Sequence, residues 1–325
     1  MSNISTNYLG LRLNSPLIIS SSGLTNSVEK IRKFEELGAG AVVLKSLFEE
    51  QINYEAGAMV ETGLSPEAHD YVTRYSKANA LDTYLRIIED TKKVVAMPII
   101  ASINCMSASE WVSFARDIEQ AGADALELNI FFLASQAGIT SEKLENLYTE
   151  IMVKVRKETR LPVAVKIGSQ FTNLVNIVNN LYVIGAKGVV LFNRFYEPDI
   201  DIDRMELTSS GVFSSPADIR NSLRWVGIIS DKVEKIDVAA STGIHDGKAA
   251  IKQILAGACA VQACSVFYEK GVDQVRIMNE EIRSWMNEKN FRTIEEFRGK
   301  LSYRNIQDPA VYERSQFMKY FSSYQ

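Results

Sequence analysis

The feature that most limits what this chain can become is a series of short, almost wholly apolar runs. Each is bounded by Gly, Pro or a polar residue and followed by a stretch with helical periodicity. The runs fall at 17–20, 41–44, 99–102, 125–128, 163–167, 188–192, 238–240 and 260–263. A strand without a polar face has to be covered on both sides, as parallel strands flanked by helices are. The intervening periodicity predicts helices near 27–37, 80–95, 107–121, 142–159, 172–184, 216–231, 246–256 and 270–289. Eight strand–helix alternations in 325 residues predict a closed α/β barrel, the (β/α)8 TIM type, over an open doubly wound sheet.

An internal echo supports the repeat. Gly38-Ala39, Gly122-Ala123, Gly185-Ala186 and Gly257-Ala258 each stand between a helical stretch and an apolar run. The glycine ends the helix and the turn feeds the next strand. Two regions fall outside this pattern. Residues 46–79, with Tyr54, Gly57, Gly63, Pro66, Tyr71 and Tyr75, read as a long lid loop over the barrel mouth. Residues 303–325 are rich in aromatics and read as a tail packed on the barrel (residues 1–302) or on a partner subunit.

Lys plus Arg number 36 against 40 Asp plus Glu, a net charge of −4, which gives no electrostatic reason to bind nucleic acid or an acidic membrane. Cys105, Cys259 and Cys264 are too few and too badly spaced for a disulfide scaffold, and with only His69 and His245 they make no metal-ligand set. Residues 1–9 lack an apolar signal core, and no run reaches the roughly 18 apolar residues of a membrane span. A soluble, cytoplasmic protein is expected.

In a barrel of this kind the chemistry is built where the strands end. Those positions carry Ser22-Gly23, Lys45-Ser46, Asn104, Asn129, Lys166, Asn193-Arg194, Ser241-Thr242-Gly243 and Cys264-Ser265. The last two groups follow the seventh and eighth strands, where barrels often hold a phosphate through backbone N–H groups and a short extra helix. Gly243 would let the backbone approach the anion. A lysine at the end of a buried strand must find an anion, reach solvent or lose its charge. Lys45 and Lys166 are therefore either snorkelling or ion-paired lysines, Glu127 being an available partner, or cations for the electron-rich N1–C2=O edge of a reduced flavin. Asn104, Asn129 and Asn193 would present amides to a planar polar heterocycle or else cap loop carbonyls.

Taken with Asn14-Ser15-Pro16, Glu127-Leu128-Asn129, Val165-Lys166, Ser241-Thr242-Gly243-Ile244 and the segments 191–201, 214–217 and 294–301, these residues resemble the dihydroorotate dehydrogenase family, nearest a bacterial dihydroorotate dehydrogenase-like branch. The resemblance implies FMN as cofactor, a pyrimidine-like substrate and a homodimer. It implies that Ser22, Gly23, Lys45, Ser46, Asn104, Asn129, Lys166, Asn193, Gly211, Ser241, Thr242, Gly243, Cys264 and Ser265 bind FMN. By the same resemblance Lys45, Asn129, Asn193 and Arg194 face the substrate.

Three departures bear on function. Thr242 stands where the family has a second glycine, acceptable if its φ is negative. The segment 75–80 replaces the family's substrate loop. Phe132 stands where the family carries a catalytic Cys or Ser. A phenyl ring cannot accept the C5 proton of dihydroorotate, and loss of a general base costs about 10²- to 10⁴-fold in rate. Two readings follow: an FMN oxidoreductase with weak or altered chemistry, or a catalytically silent flavin-binding regulatory or interaction protein. A third is a flavin-free barrel using Lys166 as a Schiff-base lysine. Cys105, beside Asn104, is the nearest candidate for a replacement base, and a buried structural thiol is the plainer reading.

Overall fold

The computed structural model describes residues 2–48, 66–105, 114–194, 197–209 and 211–313, and only the backbone of Phe48, 66–77 and Cys105. The strands are β1 (Thr6–Tyr8), β2 (Leu11–Leu13), β3 (Leu17–Ile19), β4 (Ala41–Val43), β5 (Leu47–Phe48), β6 (Ile99–Cys105), β7 (Ala125–Ile130), β8 (Val163–Ile167), β9 (Gly188–Leu191), β10 (Pro198–Asp201), β11 (Glu206–Ser209), β12 (Asp237–Ser241) and β13 (Ala260–Ala263). The helices are α1 (Val28–Glu36), α2 (Pro66–Val94), α3 (Phe114–Gln120), α4 (Ser141–Glu158), α5 (Leu174–Val183), α6 (Ile219–Lys232), α7 (Gly247–Ala256), α8 (Ser265–Lys270), α9 (Gln274–Glu288) and α10 (Ala310–Glu313).

Strands β3, β4, β6, β7, β8, β9, β12 and β13 pair in that order, all parallel, and β13 returns to β3. The result is the closed eight-stranded barrel that the apolar runs predict. Alternation along each strand divides its side chains between two layers. Leu17, Val42, Ile99, Leu126, Val163, Val189, Val238 and Val261 point outward against the helices. Burying each such side chain contributes roughly 1.5–3 kcal/mol. The inner layer is smaller: Ala41, Ala125, Ala164, Ala239 and Ala260 surround the axis with Ile18, Ile100 and Val190.

That narrow lower interior is closed by the β1–β2 hairpin. Leu9 and Gly10 turn with φ of 57° and 77°, the left-handed pair of a two-residue hairpin turn. Tyr8, Leu9 and Leu13 then fill the base of the barrel. The Leu9 N–H donates to Asp237 Oδ2 at 2.7 Å, and Thr6 Oγ1 donates to the Cys259 carbonyl at 2.9 Å.

The stretch expected as a loop over 46–79 differs. The helix α2 already starts at Pro66, so residues 66–79 of that stretch are helical, as is the whole segment 75–80. A proline at the first helical position costs nothing, because its missing N–H would have had no partner there. Tyr54, Gly57 and Gly63 lie outside the described residues, as do 106–113, Phe195, Tyr196 and 314–325. The side chains of His69, Tyr71, Tyr75 and Cys105 are likewise outside. The helix expected over 270–289 is α9, Gln274–Glu288, and the short α8 before it ends at Lys270, with Gly271 at φ 86° between them. Among the described residues no helix is long and apolar enough to cross a membrane.

Residues 303–313 lie against α6. The Tyr303 N–H donates to the Gly227 carbonyl at 2.9 Å, and the Lys232 ammonium sits 4.3 Å from the Tyr303 ring centroid.

Candidate functional site

The alternation that places alanines low in the barrel places polar side chains high. On β6 the inward residues run Ile100, Ser102, Asn104; on β7, Ala125, Glu127, Asn129; on β8, Ala164, Lys166; on β13, Ala260, Gln262. Asn104, Asn129 and Lys166 are direct register partners across β6, β7 and β8.

Lys166 is 7% exposed, and its ammonium donates to Gln262 Oε1 at 2.8 Å and Ser20 Oγ at 3.2 Å. Gln262 donates in turn to Glu127 Oε2, while Glu127 Oε1 lies 3.8 Å from the ammonium and has no hydrogen-bond partner among the described residues. Lys166 is thus an ion-paired cation. Lys45 is different, because β4 ends at Val43 and the chain rejoins β6 only at Leu47, leaving Lys45 exposed on the intervening excursion. Lys45 thus reaches solvent, one of the outcomes open to a lysine at that place. Ser46 is buried in a hydroxyl ladder, with Ser21 Oγ at 3.0 Å and Ser102 Oγ at 2.7 Å.

Above Lys166 opens a cavity of about 520 Å3. Its lining includes Lys166, Asn193, Arg194, the turn Ser241-Thr242-Gly243, Cys264 and Ser265. The amide of Asn193 donates to Asn129 Oδ1, so these two side chains meet directly. Arg194 donates to the carbonyls of Gly211 and Val212, tying down the loop that forms one wall. Ser22 caps Leu24 N–H at 3.2 Å, and Gly23 lies beside Tyr268, which lines the cavity. Burial pushes the Cys264 thiol up, opposed by a hydrogen bond with Ser22 and by the charge of Lys166. Of the expected residues, Ser22, Gly23, Lys45, Ser46, Asn104, Asn129 and Gly211 do not themselves line this cavity.

The seventh-strand turn bears on two of the expected residues. Thr242 has φ 76°, not negative, and its hydroxyl donates to the Phe192 carbonyl at 3.2 Å. Gly243 has φ 77°, and a Cβ there would lie 2.3 Å from Ile219 N, so the glycine is required where the turn crosses the start of α6.

Four participants escape sequence reasoning. Ser214, 6% exposed, donates to Ser265 Oγ at 3.0 Å, and the ring of His245, 3% exposed, lies behind it with Nε2 at 3.1 Å from Ser214 Oγ. Glu269 Oε2 stands 3.4 Å from His245 Nδ1. Gln262 interrupts an otherwise apolar strand, which is the one signal that exposes it in the sequence.

Phe132 does not line the cavity. Its ring packs edge-to-face on Tyr148 at 5.9 Å, and Tyr148 on Phe171 at 5.3 Å, around a separate space of about 110 Å3. Burial pushes the Tyr148 phenol up to about 12.

A closed parallel barrel with its polar groups gathered at the carboxyl ends of the strands defines a (β/α)8 barrel protein with a ligand cavity in its mouth. The chain belongs to the dihydroorotate dehydrogenase family, whose model matches residues 3–286. It is 29% identical to a dihydroorotate dehydrogenase B (NAD(+)) catalytic subunit of Thermoplasma volcanium, over 92% of this chain and 98% of that one. It is 27% identical to the corresponding protein of Thermoplasma acidophilum, over 92% and 99%. For that of Methanocaldococcus jannaschii the figures are 26%, 91% and 97%. The family is one of flavoprotein oxidoreductases.

Proposed function

We propose that the protein is an FMN-dependent oxidoreductase acting on dihydroorotate or a related small dihydropyrimidine. The observation that carries this reading is the cavity that joins the ammonium of Lys166 and the Asn193 amide at one side to the turn 241–243 and Ser265 at the other. Its size falls within the roughly 300–1,000 Å3 usual for cofactor sites. A buried cation suits the electron-rich edge of a reduced heterocycle, and hydroxyl and N–H donors suit a phosphate. Bound FMN would supply a hydride acceptor. Lys166 would hold the N1–C2=O edge, Asn104, Asn129 and Asn193 the ring and substrate amides, and Arg194 the loop at 211–212. Ser241, Thr242, Gly243, Cys264 and Ser265 would take the phosphate, with Ser22, Gly23, Lys45, Ser46 and Gly211 at the margin.

By the sequence resemblance Phe132 would stand at the family's base position, and efficient dihydroorotate turnover is then not expected. Its packing against Tyr148 favours a second reading, a flavin-binding protein without turnover. A homodimer is supported by the β10–β11 hairpin, which exposes Ile200, Ile202, Met205 and Leu207 together. Cys259 and Cys264 are free thiols, in keeping with a reducing cytoplasm. Residues 1–302 would form the barrel unit and 303–325 its docked tail.

The test is the visible spectrum of the purified protein, then anaerobic mixing with dihydroorotate. A flavin band whose extract is FMN is the expected result, and protein devoid of flavin would refute the cofactor. Slow bleaching by dihydroorotate supports the oxidoreductase, and no bleaching with full reduction by dithionite supports the silent protein.

A further inference from the structure

We propose that His245 is the positioning residue that makes the far end of the cavity select a phosphomonoester, an inference that rests on the FMN reading above. The protons around Ser214 can be counted. Its hydroxyl oxygen receives the Gly243 N–H at 3.4 Å, and its single proton goes to Ser265 Oγ at 3.0 Å. The remaining contact, His245 Nε2 at 3.1 Å, must therefore donate. Ser265 Oγ also receives the Ser214 N–H at 3.0 Å. With both lone pairs of Ser265 filled, its own O–H is left to donate, and Ser265 lines the cavity.

Were Nε2 bare, Ser214 would turn its proton toward the ring. Ser265 would then keep a free lone pair at the cavity wall, where a phosphate oxygen would meet repulsion. His245 fixes the direction of the relay. The ring is buried, and the Glu269 carboxylate stands on its far side, 3.4 Å from Nδ1.

The experiment compares FMN with riboflavin, which lacks the phosphate, by fluorescence titration of the full-length protein freed of flavin. The wild type is expected to prefer FMN by about 100-fold or more, on the order expected when a site's charged hydrogen bonds go unmade. His245→Leu is expected to lose about tenfold or more in FMN affinity with riboflavin affinity unchanged. His245→Gln, whose amide N–H reaches the same place, is expected to restore most of it. Ser214→Ala, a small change that leaves the ring in place, is expected to match His245→Leu. An FMN preference in His245→Leu equal to wild type overturns the role of His245, as does equal loss of both ligands or a Gln variant as poor as Leu. A wild type that does not separate FMN from riboflavin overturns instead the placing of the phosphate.

Discussion

The ammonium of Lys166 and the carboxylate of Glu127 face each other at 3.8 Å inside the barrel, and Gln262 bridges them by bonding to both. Both are nearly inaccessible to water, so each charge depends on the other. Replacing Lys166 by Met alone should strand the Glu127 carboxylate and lower stability by about 3–5 kcal/mol. The double variant Lys166→Met with Glu127→Gln should recover most of that loss in urea unfolding. Equal losses in single and double variants would show that the pair is not coupled.

Thr242 poses a balance of small terms. A β-branched residue at φ 76° costs about 1–3 kcal/mol, and its hydroxyl bond to the Phe192 carbonyl returns about 0.5–1.5 kcal/mol. Thr242→Val keeps the strain and loses the bond, so it should destabilise by about 1 kcal/mol. Thr242→Gly loses both, and with glycine's own backbone entropy it should stay within about 1 kcal/mol of wild type. Thermal unfolding of the two variants decides whether the hydroxyl is what makes threonine tolerable there.

Gly243→Ala meets backbone instead of space, with Ile219 N at 2.3 Å and Asp218 C at 2.9 Å from the added carbon. Overpacking of about 1–3 kcal/mol adds to the strain of a left-handed residue. Lower stability together with weaker flavin retention is expected, measured by unfolding and by the flavin content of the purified variant.

Alkaline pH should loosen the fold through Cys259. Burial, with the Asp237 charge behind it, pushes this thiol up to about 12, so it remains protonated in the folded chain. An unfolded thiol ionises near about 8.5. Between these values the unfolded state binds fewer protons than the native one, so stability is intact below the lower value and falls as pH rises toward the upper. One such group corresponds to about 1.4 kcal/mol per pH unit. Cys259→Ala should make the decline between about pH 9 and 12 shallower by that amount, read from urea midpoints.

Gly227 on α6 carries the ring of Tyr312, to which a Cβ would approach within 2.5 Å. Gly227→Ala should push residues 303–313 off the helix. The helix itself gains about 1 kcal/mol in propensity, so global stability should change little. Limited proteolysis is the informative measurement: cleavage within 303–313 should accelerate while the barrel stays resistant.

How far the sequence discloses this molecule depends on the range of the forces involved. The eight barrel strands are legible because a run such as Val163 to Ile167, covered on both faces, has no stable alternative. The helix from Pro66 is not legible, because a proline among polar residues is equally at home in a loop and at the start of a helix. Lys166 stands out because a charge inside a hydrophobic run demands a partner. Ser214 and His245 do not, since 31 residues separate them and only the closed barrel brings them together. Gly243 is visible as a turn residue, but its reason, the crossing of α6, belongs to packing that no local pattern encodes.

The hairpin of β1 and β2 also sets an order of events. Its side-chain and backbone partners, Asp237 and Cys259, are synthesised far later, a separation of 228 residues for the first and 253 for the second. A growing chain therefore makes its plug before the last walls of the vessel it is to stopper. Until those walls arrive, Tyr8, Leu9 and Leu13 have no permanent home, and the emerging chain carries an oily tip for a chaperone to cover. Closure of the ring and seating of the plug become one late step, which makes barrel formation slow and all-or-none.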